Sequence, residues 1–298
     1  MKHAKRLLPA GVLLVLFGAC VTAADAPPAP PAPAAAPGAA SAPSLEEVMK
    51  DPNRKVGFIR KTLKLDDGTE RIYQVWVPLS YTPDKKWPVI LFLHGKGESG
   101  TDGEKILVQG LPKEIKKRAG KFDFIVAIPQ CASGAAPREP AKEAAKDAPK
   151  GAALPFRRTG WVGPDEEFAL KSLQAAMRDY ACDPQRVYLT GLSMGGFGTW
   201  SLAAKYPAMF AAIAPICGGG DPASAAAIAP LPAWVWHGAA DNVVPPEMSR
   251  RMVEALKAAG AKEVKYTELP GVGHNSWDAA YAGDELWSWM LSHRLRSK

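Results

Sequence analysis

The pentapeptide Gly191-Leu192-Ser193-Met194-Gly195 constrains this 298-residue chain more than any other segment. It follows the β-rich run Val187-Tyr188-Leu189-Thr190 and leads into a helical pattern from Gly196 to Tyr206. A strand that turns into a helix within so few residues forces a strained backbone at Ser193. It also brings the neighbouring backbone so close that a Cβ there would collide. Glycines at 191 and 195 meet both demands. The helix points its N-terminus, with free N–H groups and a positive dipole end, at the serine hydroxyl. A strand, a glycine turn with serine at its apex, and a helix together make a nucleophile elbow.

The flanking segments supply the sheet that an elbow needs. Val56 to Leu65 and Arg71 to Val77, separated by Asp66-Asp67-Gly68, predict an antiparallel hairpin. Apolar runs at Pro88 to Leu93, Phe124 to Ile128, Arg186 to Thr190, Ala211 to Ile216 and Ala233 to Trp236 predict strands buried on both faces, and Val264 to Leu269 closes the series. Helical patterns at Glu166 to Tyr180, Gly196 to Tyr206, Pro246 to Ala259 and Asp284 to Leu295 alternate with the later strands. The expectation is an α/β fold: a mostly parallel sheet with helices on both faces. Right-handed crossovers then gather the strands' carboxyl ends on one edge.

A serine hydroxyl is a weak nucleophile at neutral pH and needs a base, itself oriented by a third group. His274, in Gly271-Val272-Gly273-His274-Asn275, follows the last strand, and Asp241, in His237-Gly238-Ala239-Ala240-Asp241, follows the one before. Both loops belong to the edge that carries Ser193. His94 and His237 each precede a glycine at a strand end, and His237 also reads as a structural histidine holding its loop. Asp221 and Asp278 are the rival acids. Negative charge on an attacked carbonyl oxygen calls for preorganised N–H donors. The expected ones are the main-chain N–H of Met194 and, from the glycine-rich loop His94-Gly95-Lys96-Gly97-Glu98-Ser99-Gly100, that of Lys96. Trp161 and Trp277 are candidate walls of the pocket. Histidines and carboxylates do not cluster at metal-ligand spacing, and no cofactor fingerprint is present, so water alone is the expected co-reactant.

These segments resemble the prolyl-oligopeptidase-like esterases of the α/β-hydrolase superfamily, near the phospholipase/carboxylesterase, dienelactone-hydrolase and polyhydroxybutyrate-depolymerase-like feruloyl esterase branches. The likeness rests on Leu93-His94-Gly95 with Gly97-Glu98-Ser99-Gly100, on Tyr188 through Gly196, on His237-Gly238 with Asp241, and on Gly273-His274 with Trp277. It runs from about Val56 onward and implies the α/β-hydrolase fold, a Ser193-His274-Asp241 triad and a carboxylic-ester substrate, small or linked to a polysaccharide. A thioesterase, a lipase or a short-peptide hydrolase could use the same machinery. A non-catalytic surface lipoprotein is the reading from another class.

The N-terminal residues bear on location. Basic Lys2 to Arg6 precede an apolar run from Gly11 to Ala19 that is too short to remain in a bilayer, as in an export signal over residues 1–23. Leu16-Phe17-Gly18-Ala19-Cys20 resembles a lipobox with Cys20 as the lipidated residue, which would tether the protein to a membrane. Residues 24–43, almost all Ala and Pro, read as an extended spacer before a hydrolase domain over 44–298. The expected location is therefore periplasmic, anchored at the outer membrane, or secreted. Of the formal +7 charge, part lies in the leader and part in residues 132–160, where six basic residues meet three acidic ones in an Ala/Pro/Lys tract. Charge of that kind is not a nucleic-acid stripe. Residues 132–159 are longer than an ordinary connection and read as a charged surface insertion or a flap near the catalytic edge. Beyond Cys20, Cys131, Cys182 and Cys217 make an odd set, leaving open a bond between Cys131 and Cys217 or buried free thiols.

Overall fold

The computed structural model of the chain describes residues 43–132 and 160–295. The leader, Cys20, the Ala/Pro spacer except Pro43, and the insertion except Ala132 lie outside the described residues. Among the described residues no helix is long and apolar enough to cross a membrane.

Eight strands form one sheet in the order β1-β2-β4-β3-β5-β6-β7-β8. They are β1 Gly57–Lys64, β2 Glu70–Val77, β3 Trp87–Leu93, β4 Ile125–Pro129, β5 Cys182–Leu192, β6 Ala212–Ile216, β7 Ala233–Gly238 and β8 Val264–Leu269. The expected hairpin is β1 and β2, which pair antiparallel, and β2 meets β4 antiparallel; every other pairing is parallel. The helices are α1 Leu45–Lys50, α2 Gly110–Lys117, α3 Pro164–Asp179, α4 Met194–Lys205, α5 Ala225–Ile228, α6 Glu247–Ala258, α7 Trp277–Ala282 and α8 Glu285–Leu291.

The continuous apolar strands arise because the sheet is covered on both sides, and successive residues serve opposite faces. In β3, Val89, Leu91 and Leu93 join a core with Phe168 and Leu173 of α3, Trp200 and Leu202 of α4, and Met252 and Leu256 of α6. Ile90 and Phe92 join the opposite core with Leu111 and Ile115 of α2, Tyr281 of α7, and Trp287 and Met290 of α8. The central strand β5 starts earlier than its apolar run suggests, at Cys182, which pairs with Trp87 ahead of a register irregularity. The last helical pattern is shorter than expected. It ends at Leu291 and is preceded by the separate turn of helix α7, with extended Gly283 between them.

The parallel strands β3, β5, β7 and β8 place the loops after Leu93, Leu192, Gly238 and Leu269 on one edge. Among the described residues, Cys131, Cys182 and Cys217 are all buried thiols, and Cys131 and Cys217 are not joined.

Candidate active site

Ser193 occupies the turn between β5 and α4 with φ 52° and ψ −116°, a backbone state that costs a non-glycine residue about 1–3 kcal/mol. The surroundings hold it there. Its N–H donates to Ile216 O at 2.9 Å and its carbonyl accepts from Phe197 N–H at 3.0 Å. A Cβ at Gly195 would run into the Leu93 carbonyl, and one at Gly191 into the Gly195 carbonyl, so β3, β5 and α4 can approach this closely only through glycine. The N–H of Met194, first in the helix, has no intrahelical acceptor and lies beside the serine in the chain.

Ser193 Oγ is 2.9 Å from His274 Nε2, and His274 Nδ1 is 2.7 Å from Asp241 Oδ2. Asp241 is buried; its Oδ1 accepts the N–H groups of Val243 and Val244, both at 2.9 Å. The rival acids are elsewhere. Asp221 caps a short turn by accepting from Ala223 N–H, and Asp278 is exposed opposite Lys113 at 3.6 Å.

The loop carrying Lys96 is braced from beneath. The buried ring of His94 donates from Nδ1 to Gly95 O at 2.6 Å and accepts Cys131 N–H on Nε2 at 2.9 Å. Accepting on Nε2 requires a neutral ring, and burial lowers the His94 pKa to about 4. Because Gly95 C=O and Lys96 N–H belong to one planar peptide, fixing the carbonyl fixes the direction of the N–H. Gln130, also buried, donates to Glu98 O at 3.0 Å and accepts Gly103 N–H at 2.6 Å.

Trp161 is fully buried under this loop. Its indole N–H donates to His94 O at 3.1 Å and its ring meets the His94 ring edge-on. With no exposed surface it supports the loop rather than walling an open pocket. Trp277 is half-buried, with its ring perpendicular to the His274 imidazole at 5.4 Å between centroids.

Two contacts were invisible in the sequence. His237 Nε2 lies 3.2 Å from Asp241 Oδ2. Cys217, a non-glycine residue at φ 40°, has its sulfur within 4.8 Å of donor atoms of Asp241 and His274. Burial pushes the Cys217 thiol up to about 12, so it stands protonated beside Asp241 and His274.

A strained serine between strand and helix, with an imidazole and a buried carboxylate in series at the carboxyl edge of a mostly parallel sheet, defines the α/β-hydrolases. Residues 68–270 match the family described as "Putative esterase", and the chain belongs to that esterase family. It is 26% identical over 221 residues to feruloyl esterase D of Neurospora crassa, covering 73% of this chain and 69% of the relative. A shorter match, 47% over 58 residues, links it to poly(3-hydroxyalkanoate) depolymerase C of Paucimonas lemoignei, covering 19% of this chain and 14% of the depolymerase. Among solved structures, a thermostable esterase superposes with TM-score 0.61 at 32% identity, over 80% of this chain and 63% of that one. The chain thus spans less than two thirds of the depolymerase and of the thermostable esterase.

Proposed function

We propose that the protein hydrolyses carboxylic esters in two steps through an acyl-enzyme on Ser193. The observation that carries this reading is the continuous hydrogen-bonded series from Ser193 Oγ through His274 to Asp241. As Ser193 Oγ attacks the ester carbonyl, His274 Nε2 takes the hydroxyl proton, and Asp241 fixes the Nδ1–H tautomer and stabilises the imidazolium. The carbonyl oxygen becomes an oxyanion facing the N–H groups of Met194 and Lys96. Collapse of the tetrahedral intermediate expels the alkoxide, which takes the proton from His274. Water repeats the sequence, releasing the acid and restoring Ser193.

An ester whose acid or alcohol part is bulky or polymer-linked is the favoured substrate class, supported by the feruloyl esterase and depolymerase relatives. Trp277, perpendicular to the imidazole, is proposed as a wall for that group. The N-terminal pattern supports export, with Cys20 as a lipid attachment point. A fluorophosphonate probe should label the wild type and leave Ser193→Ala unlabelled. Equal labelling of both would remove Ser193 from the role. Hydrolysis rates across aryl, acetyl-sugar, feruloyl and short-chain esters then rank the substrates. Membrane fractionation of wild type and Cys20→Ala tests the tether: an unchanged distribution would exclude it.

A further inference from the structure

His237, next to last in β7, is fully buried and takes no part in the proton transfers above. Its Nε2 is 2.9 Å from Val244 O and 3.2 Å from Asp241 Oδ2. A carbonyl and a carboxylate can only accept, so this nitrogen carries a proton; its main bond goes to Val244 O, with Asp241 Oδ2 as a second, off-axis acceptor. On the other side, Nδ1 is 2.7 Å from Ser249 Oγ, and that hydroxyl is 2.9 Å from Gly218 O. The single hydroxyl hydrogen goes either to Nδ1, leaving the ring neutral, or to Gly218 O, leaving an imidazolium. The Nε2–H is present in both arrangements.

From this geometry we infer that His237 is a positioning residue for the esterase reaction, acting through Asp241. It does so in two ways. By holding Val244 O, it fixes the residue whose own N–H binds Asp241 Oδ1 at 2.9 Å. The same Nε2–H, with Nε2 3.2 Å from Oδ2, lies beside the oxygen that His274 holds and withdraws charge from it. Asp241 thus stands between two imidazoles, one that moves protons and one that holds the carboxylate's orientation and tempers its basicity.

The groups facing His237 set the sign of its effect. They are Asp241 in the loop after β7, His274 after β8, Glu268 opposite it in β8 with Arg250 of α6, Ser249 of α6, and the protonated Cys217 thiol beside Asp241. Removing the Nε2–H leaves more negative charge on Oδ2 and stabilises the imidazolium of His274. More acid-side protonation of the base then moves the acidic limb of the kcat/KM profile to higher pH. The sign is the same whether His237 is neutral or charged.

The inference rests on the reading of Asp241 and His274 as acid and base, and the test separates the two. In His237→Asn the amide reaches the place of Nδ1 and the donor toward Asp241 is lost. In His237→Gln the amide reaches the place of Nε2 and the donor is kept. The Asn variant should lose about tenfold or more in kcat with KM for a small aryl ester little changed, and its acidic limb should rise by roughly half a unit to one unit. The Gln variant should bring the limb back toward wild type. An Asn variant with the wild-type limb would overturn the role. If neither variant folds, ¹⁵N spectra of labelled wild-type protein still decide, since an unprotonated His237 Nε2 is incompatible with it. An inactive Asp241→Asn together with an unshifted His237→Asn removes only this inference, whereas an active Asp241→Asn removes the reading beneath it.

Discussion

Replacing Asp241 by Asn tests the acid's role through hydrogen bookkeeping alone. Both carboxylate oxygens face donors: Oδ1 the N–H groups of Val243 and Val244, Oδ2 those of His274 and His237. An amide nitrogen must replace one oxygen. The backbone N–H groups cannot change role but an imidazole can, so the amide nitrogen goes to the Oδ2 side. There it donates to His274 Nδ1, and His274 must then carry its proton on Nε2, facing Ser193 Oγ. A base that already holds a proton toward the nucleophile cannot accept another. The expected loss in kcat is about 10⁴-fold, or about 5 kcal/mol of barrier. The amide also turns an N–H toward the His237 Nε2–H, whose main acceptor, Val244 O, remains, so the expected cost in stability is about 1 kcal/mol, a fall in Tm of a few degrees. Stopped-flow hydrolysis of an aryl ester and a calorimetric melt measure both. A folded Asp241→Asn enzyme with kcat within tenfold of wild type would refute the assignment, and neither Asp221 nor Asp278 is positioned to take over.

Ser193→Ala should lower kcat/KM by about 10³-fold or more while shifting Tm by no more than about a degree, because the only side-chain bond removed is the one to His274; a kinetic trace and a thermal melt check it. Gly195→Ala should destabilise the fold by about 1–3 kcal/mol or prevent it, since the added methyl meets the Leu93 carbonyl, and a denaturant midpoint equal to wild type would contradict the packing argument. His94, with its pKa lowered by burial from 6.5 to about 4, contributes stability that is complete above about pH 6.5 and is lost as pH falls toward 4, because the unfolded chain binds the proton first. The full effect is on the order of 3 kcal/mol, and His94→Asn should flatten that part of the stability–pH curve measured by urea unfolding.

The sheet was legible because β3, β4, β6 and β7 are buried on both faces and therefore read as unbroken apolar runs. Where composition and structure part, a local cause is visible. Asp183-Pro184 looks like a turn, yet β5 passes through it because Cys182 already pairs with Trp87. Helix α2 begins at Gly110 with φ 61°, and a glycine in the left-handed region disguises a helix start. Helix α7 stands ahead of the expected terminal helix, Asp284 to Leu295, which forms as α8 but ends at Leu291. At the site, that Ser193, His274 and Asp241 would meet was readable, because a strand–glycine–helix turn and two loops at the same sheet edge bring them together. The bracing side chains were not. That His94 meets Cys131 N–H, or that Gln130 spans Glu98 and Gly103, follows only from how β3 and β4 lie together. Trp161 misled for the same reason: its proximity to the site was legible, but not whether it stood beside the opening or beneath the loop.

The strand order has a consequence for how such an enzyme fails. Ser193 stands at the end of β5, paired on both sides by β3 and β6, whereas His274 follows β8, the last strand, which is paired only with β7 and is half-buried along most of its length. Local opening of a structure costs least where few contacts are broken, so the edge exchanges and frays before the centre. Beyond the β7 ladder it is held by an Arg250–Glu268 ion pair reinforced by Tyr266 OH at 2.6 Å, by the Trp234 indole N–H donating to Thr267 Oγ1 at 2.9 Å and by Ala239 N–H donating to Leu269 O at 2.9 Å. On the proposed mechanism, separation of β8 withdraws the His274 imidazole from a Ser193 that is still in place. Inactivation is then a sub-global event, and a melting curve recorded from the core aromatics overstates the temperature up to which the serine keeps its base.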